Sequence, residues 1–212
     1  EVSPYRFADS KGVDVWTKGQ VSLLHNTTQG HNVTSSKDAN GRPQQHIRPI
    51  QYNGTDAILL HDGTDVDRID ADGTITHWID NNTGTAYPVY AICDDGVNAY
   101  WVTNQNIAGG KLQFYKKTLS SAAGGNVGDP GVTLMFSSPS VTVANAELEF
   151  VKDRIVACIN NVVYEISPNA TSLPTPIYTN PNTNYTYTSI TASGPAIYTS
   201  GFSGLYSTVQ KY

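Results

Sequence analysis

The stretch HIRPIQYNGTDAILLHDGTDVDRIDADGTITHWI, His46 to Ile79, decides the fold. Its glycines follow Asn53, Asp62 and Asp72, at positions 54, 63 and 73. Asn-Gly and Asp-Gly suit tight hairpins, because the turn positions need φ > 0, which Asn, Asp and Gly tolerate. Between the turns lie runs long enough for one strand each: His46–Tyr52, Asp56–His61, Val66–Asp70 and Thr74–Ile79. The spacing predicts a four-stranded antiparallel meander.

Working outward, the same pattern recurs. Gly12-Val13-Asp14-Val15-Trp16, Gly54-Thr55-Asp56-Ala57-Ile58 and Gly96-Val97-Asn98-Ala99-Tyr100 align on the turn after the first strand. Arg154-Ile155-Val156-Ala157-Cys158 and Gly194-Pro195-Ala196-Ile197-Tyr198 continue the series, with offsets of 42, 42, 58 and 40 residues. The long third offset has a visible cause, the Gly/Ser-rich insertion Ser120–Gly131 between the strands Lys111–Leu119 and Val132–Ser137. A period of about 40 to 45 residues with four strands per repeat marks a β-propeller. The expected fold is therefore all-β: one propeller domain over residues 1–212, with about five four-stranded antiparallel blades near 1–45, 46–87, 88–140, 141–182 and 183–212. The last blade is incomplete in this chain, having strands near Tyr185–Thr191, Ala196–Ser200 and Leu205–Val209 and no fourth. Its edge is expected to be covered by the first repeat's N-terminal strand, by further chain or by a partner subunit.

Composition agrees with strands. Thirteen Tyr stand beside one Met, and only 15% of residues are charged, against about 25% in an ordinary soluble domain. Thirteen Lys and Arg against eighteen Asp and Glu leave a net charge of −5, which gives no field for phosphate backbones, so no nucleic-acid partner is expected. No window approaches the roughly 20 apolar residues that span a bilayer. The chain begins at Glu1, from which a removed leader or a longer parent polypeptide is expected.

Ala99-Tyr100-Trp101-Val102-Thr103-Asn104 resembles the YVTN-type motif of surface-layer and extracytoplasmic propellers, and Val66–Ile75 is similar to the hairpins of NHL-like propellers. The Asn/Thr/Gly/Tyr-rich texture also resembles propeller segments in minor tail proteins of tailed bacteriophages. These resemblances imply a non-catalytic recognition or scaffold module. The preferred setting is a virion tail tip or fibre, assembled in an oligomer and contacting neighbouring virion or surface proteins or host-surface glycans. A secreted or surface-layer bacterial binding protein is the first alternative, and a glycan-cleaving propeller enzyme the second.

Two segments exceed what hairpin loops need: Asn26–Gln45 and Ser120–Gly131. Neither has apolar periodicity, so neither is expected to add much to a core. The first gathers His31, Lys37, Asp38 and Arg42 around Gly30 and Gly41, with His46 directly after it, and these five residues are the expected polar contact surface. Trp101 joins them as a candidate, because it alternates with Tyr100 and so faces the opposite side of its strand. Trp16, Tyr100 and Tyr198 are expected to pack one blade on the next. The acids Asp94, Asp95, Glu147, Glu149 and Asp153 lie near the ends of the first two strands of their repeats, and a glycosidase would need two converging carboxylates there. Asp65, Asp67, Asp70 and Asp72 suggest a calcium loop, but Arg68 stands where a ligand belongs. The five histidines lack close ligand spacing, and Cys93 and Cys158 read as buried free thiols. No nucleophile, metal cluster or phosphate loop stands out, so no catalytic residue, metal or cofactor is expected.

Overall fold

Asn53 and Gly54 take φ values of 51° and 76°, so the chain reverses between Tyr52 and Thr55 in two residues, as the Asn-Gly pair predicts. Gly96 does the same work in the next repeat at φ 84°. In the fourth, Lys152 at φ 58° precedes Asp153, and Arg154 opens the following strand. Gly54, Gly96 and Arg154 thus mark equivalent hairpins. Gly12, Gly63 and Gly194 lie outside the described residues.

The computed structural model describes residues 13–14, 22–23, 46–61, 66–79, 89–105, 111–125, 129–193, 196–204 and 206–212. Contacts divide the chain into two units, Glu1–Val33 and Thr34–Tyr212. In the first, β1 (Val13–Asp14) pairs antiparallel with β2 (Ser22–Leu23). The second contains four antiparallel sheets, each a meander in chain order. The first sheet is β3 (His46–Tyr52), β4 (Thr55–His61), β5 (Val66–Asp70) and β6 (Ile75–Ile79). The second is β7 (Val89–Asp94), β8 (Asn98–Gln105), β9 (Lys111–Thr118) and β10 (Val132–Ser138). The third is β11 (Ala146–Val151), β12 (Arg154–Ile159), β13 (Val162–Ile166) and β14 (Tyr178–Thr179). The fourth is β15 (Thr186–Ser193), β16 (Ala196–Ser203) and β17 (Tyr206–Lys211). The described residues are all-β and contain no helix.

Consecutive sheets stack face to face with an apolar layer between each pair. Alternation along β8 explains why the middle sheets are hydrophobic on both sides. Tyr100 and Val102 face the third sheet with Cys93, Phe114, Leu148, Ile155 and Ile166. Ala99 and Trp101 face the first with Ile50, Leu59, Val66, Trp78 and Tyr115. Between the third and fourth sheets lie Val156, Cys158, Val163, Tyr185, Tyr187 and Ile197. Both cysteines are free and buried.

Tyrosine hydroxyls tie the fourth sheet together. Tyr187 and Tyr212 hydroxyls are 3.1 Å apart, Tyr212 donates to Gln210 at 2.6 Å, and Tyr185 meets the Thr208 hydroxyl at 2.7 Å. Burial first, and then its bond with Tyr212, raises the Tyr187 hydroxyl well above the usual phenol range.

The insertion after β9 corrects an expectation. Its described parts are Ser120–Gly125 and Asp129–Gly131, and the first of these is part of the core boundary. Gly124 N–H donates to the Trp78 carbonyl at 3.0 Å, and Trp78 Nε1 donates to the Ser121 carbonyl at 3.2 Å. A polar loop contributes here through backbone groups, which apolar periodicity does not register.

Candidate functional site

The opening strands β3, β7 and β11 bring a cation and three acids into one neighbourhood. β7 packs against both β3 and β11. Arg48 follows the same parity as Ile50 on β3, so its side chain leaves the strand toward the second sheet. Its guanidinium reaches β11, donating to Glu149 Oε2 and to the Leu148 carbonyl at 2.8 Å each. The planar fork serves a carboxylate and a carbonyl together, a geometry that an ammonium would not reproduce.

Glu147 is two residues from Glu149 and on the same side of β11. It stands opposite Cys158 in the register. Burial pushes its carboxyl up to about 8, against the opposing pull of the Arg48 charge. Around neutral pH it is therefore mainly protonated and carries an O–H donor. Asp94, at the end of β7, is also raised by burial, although it accepts from the Gly96 N–H at 3.1 Å and feels Arg48. Burial raises both thiols as well, Cys93 and Cys158, so neither is an activated nucleophile. The set combines a neutral acid, a half-buried ion pair and a second carboxyl group.

Asp94 also borders a cavity of about 740 Å³ at the hairpin end of the first two sheets, lined by Gln51, Asp56, Asp70, Ile50 and Ile58 among others. Its polar wall is ordered. Arg68 donates to both Asp70 oxygens, at 2.7 and 3.1 Å, and its guanidinium lies 3.5 Å from the Tyr52 ring centroid. Gln51 hydrogen-bonds Asp56. Carboxyl acceptors beside aliphatic walls suit a neutral polyhydroxylated ligand, with hydroxyls on one side and C–H faces on the other.

The remaining acids have separate duties. Asp95 accepts from the N–H groups of Val97 and Asn98 and from the Tyr100 hydroxyl, at 2.8, 2.6 and 2.7 Å, which makes it a turn-builder. Asp153 is exposed beside Arg154, which pairs with Glu165 at 2.6 Å. Asp67 meets His77 Nδ1 at 2.6 Å, and Asp72 accepts from Thr74 N–H at 2.8 Å. Among the described residues no His/Cys/Asp/Glu group could hold a metal ion.

Of the expected contact residues, His31, Lys37, Asp38 and Arg42 lie outside the described residues. His46 opens β3 opposite His61. Trp101 is fully buried between the first and second sheets, stacked on Tyr115 with ring centroids 5.2 Å apart.

Sequence reasoning passed over Arg48 and Lys117. Lys117 is completely buried on β9, its ammonium donating to the carbonyls of Trp78 and Gly124 and lying 4.7 Å from the Trp78 ring. The signal for both was parity: each basic residue occupies a core-facing position of a recognised strand, where an unpaired cation is seldom found.

No protein-family model and no curated protein matches the chain. Its class therefore rests on the sheets and on this site.

Proposed function

We propose that the chain is a β-propeller module, each sheet a blade, serving as a non-catalytic recognition or scaffold element outside the cytoplasm. The observation that carries this is the order of packing: β3 lies beside β7, β7 beside β11 and β11 beside β15, so each sheet's first strand adjoins the next sheet's first strand. That arrangement, repeated with face-to-face apolar layers, is what radial blades require. The ligand class best matched by the cavity at Asp94 is a saccharide of a host surface, and the loop 26–45 is proposed as a second polar contact. A virion tail remains the preferred setting, with assembly in an oligomer among neighbouring tail proteins. A secreted or surface-layer bacterial protein would use the same cavity.

The test is binding of the labelled chain to bacterial cells and to a panel of surface polysaccharides. Saturable binding that Asp94→Asn or Asp70→Asn weakens about tenfold supports the proposal. Absence of binding to cells, polysaccharides and virion proteins alike overturns it.

One observation favours a second reading, a glycan-cleaving enzyme. Glu147 is held protonated by burial near Glu149, and an acid beside an ionised carboxylate is the glycosidase pattern. Against it, Glu149 is committed to Arg48. Aryl-glycoside turnover lost in Glu147→Gln would establish this reading, and no turnover across a broad substrate panel would dismiss it.

A further inference from the structure

The outer edges of the four sheets differ. β6 meets β5 across a register shift between Val66 and Asp67. β10 carries a shift between Leu134 and Phe136. β14 is two residues long. Bulges and short strands are how proteins keep sheet edges from recruiting other strands. β17 has neither: it runs six residues, Tyr206–Lys211, in unbroken register with β16, and among the described residues pairs with β16 alone. It contains no proline, and Lys211 is its single charge.

The register shows which backbone groups face outward. Ile197 and Tyr212 exchange both N–H···O bonds. In an antiparallel ladder such pairs alternate with pairs that exchange none. Gln210, Thr208 and Tyr206 therefore bond to β16, whereas Lys211, Val209 and Ser207 turn their N–H and C=O groups to the open edge. The inward-facing side chains are already engaged, Thr208 with Tyr185 and Gln210 with Tyr187 and Tyr212. Val209, in contrast, is 74% exposed.

We propose that β17 is a homodimerisation edge, pairing antiparallel with β17 of a second copy about a two-fold axis through Val209. A symmetric antiparallel pair must place one residue opposite itself. Centring on Val209 is the register that matches all three outward residues: Ser207 with the partner's Lys211, Val209 with the partner's Val209, and Lys211 with the partner's Ser207. Each matched pair closes two backbone hydrogen bonds. The exposed valines meet across the axis, Thr208 faces the partner's Gln210, and no like charges oppose each other. A second copy is the favoured occupant because the edge is complementary to itself in both hydrogen bonding and side chains. Two three-stranded sheets would join as one of six. This goes beyond ligand recognition and does not depend on it.

The test is sedimentation velocity on the 212-residue chain from about 1 to about 100 μM, with three variants. Val209→Pro removes an outward N–H and no ladder bond to β16, since this residue makes none, although the ring also fixes φ. Val209→Lys sets two cations on the axis without changing the backbone, which keeps the test decisive if the proline variant misfolds. The expected result is a wild-type dimer and at least a tenfold weaker Kd in the proline and lysine variants, with unchanged circular dichroism. Val209→Cys should form an interchain disulfide on mild oxidation, because a hydrogen-bonded pair has Cα atoms about 5.5 Å apart. Cys93 and Cys158 are buried and do not compete. A wild-type monomer over the whole range, or a dimer indifferent to both Val209→Lys and Val209→Cys oxidation, overturns the proposal.

Discussion

Arg48 and Lys117 both reach from one sheet to another, yet they solve the same problem in different ways. Arg48 keeps 24% of its side-chain surface exposed and meets a carboxylate, Glu149, that is exposed to a similar extent. Lys117 is sealed from solvent and meets two carbonyls and the face of an indole. The first is a neutralised pair at the border with water. The second is a cation inside the core, held by dipoles and a ring quadrupole, with the Asp129 carboxylate acting on it as well. Desolvation accordingly lowers the Lys117 ammonium to about 8, with Asp129 pulling the other way and Arg68 adding to the fall. Burying a charge is expensive even where a carboxylate such as that of Asp129 acts on it, so the structure around Lys117 must be more exacting than that around Arg48.

The largest expected effect comes from removing that surround. Trp78 is fully buried, covers Lys117 and supplies both its carbonyl and its Nε1–H to the clasp with Ser121 and Gly124. Trp78→Ala should cost about 3–5 kcal/mol in urea denaturation, as large aromatic deletions do. Trp78→Phe, which keeps a ring over the ammonium, should recover a substantial part. Equal losses in both variants would show that the ring face contributes nothing to holding the cation.

Next is Glu147, which feels the Arg48 charge. Its folded pKa, raised to about 8, lies far above that of an unfolded glutamate. The folded state therefore holds the extra proton between those values, and the stability this group contributes is complete below the unfolded pKa and lost as pH rises through about 8. Glu147→Gln should leave stability near pH 5 unchanged and raise it near pH 9 by about 2–4 kcal/mol. Parallel stability–pH curves for the two proteins would mean that the carboxyl is solvated.

Lys117→Met tests the other side. A lysine depressed to about 8 makes the folded state bind fewer protons than the unfolded one between about 8 and the ordinary lysine value, so wild-type stability should rise with pH there. The methionine variant should lack that rise and be more stable near pH 7 by about 1–3 kcal/mol. Above pH 10 the buried tyrosines reverse the trend in both proteins. The hydroxyls of Tyr100 and Tyr187 are raised mainly by burial, and stability held by a raised phenol is lost once the unfolded chain ionises.

The contrast also explains what could be read from sequence. The hairpins at Asn53-Gly54 and around Gly96 were legible, because positive φ and short spacing are local properties written in residue type. Strands β3 and β5 have the ends that their apolar runs and turns predict. The meeting of Arg48 with Glu149 was not legible, because it joins residues 101 apart in sequence. Residue type alone also misled at the Ser120–Gly131 insertion, whose contribution passes through backbone carbonyls at Ser121 and Gly124. At Trp101, alternation correctly separated it from Tyr100, but the opposite face of a middle sheet is another packed layer.

The smallest effect should be the Arg48–Glu149 coupling itself, and its smallness would sharpen the comparison most. Each partner is roughly a quarter exposed, so water and salt screen the pair and its net worth falls in the range of surface ion pairs. Arg48→Ala alone should look costlier than that, because it also removes the donor to the Leu148 carbonyl and leaves Glu149 beside Glu147 and Asp94. A double-mutant cycle with Arg48→Ala and Glu149→Ala separates these contributions. The expected coupling is about 0.5–1 kcal/mol at low salt, shrinking toward zero near 1 M NaCl. A coupling above about 3 kcal/mol that salt does not reduce would place Arg48 with Lys117 as an internal charge, and the distinction between a border pair and a core cation would fail.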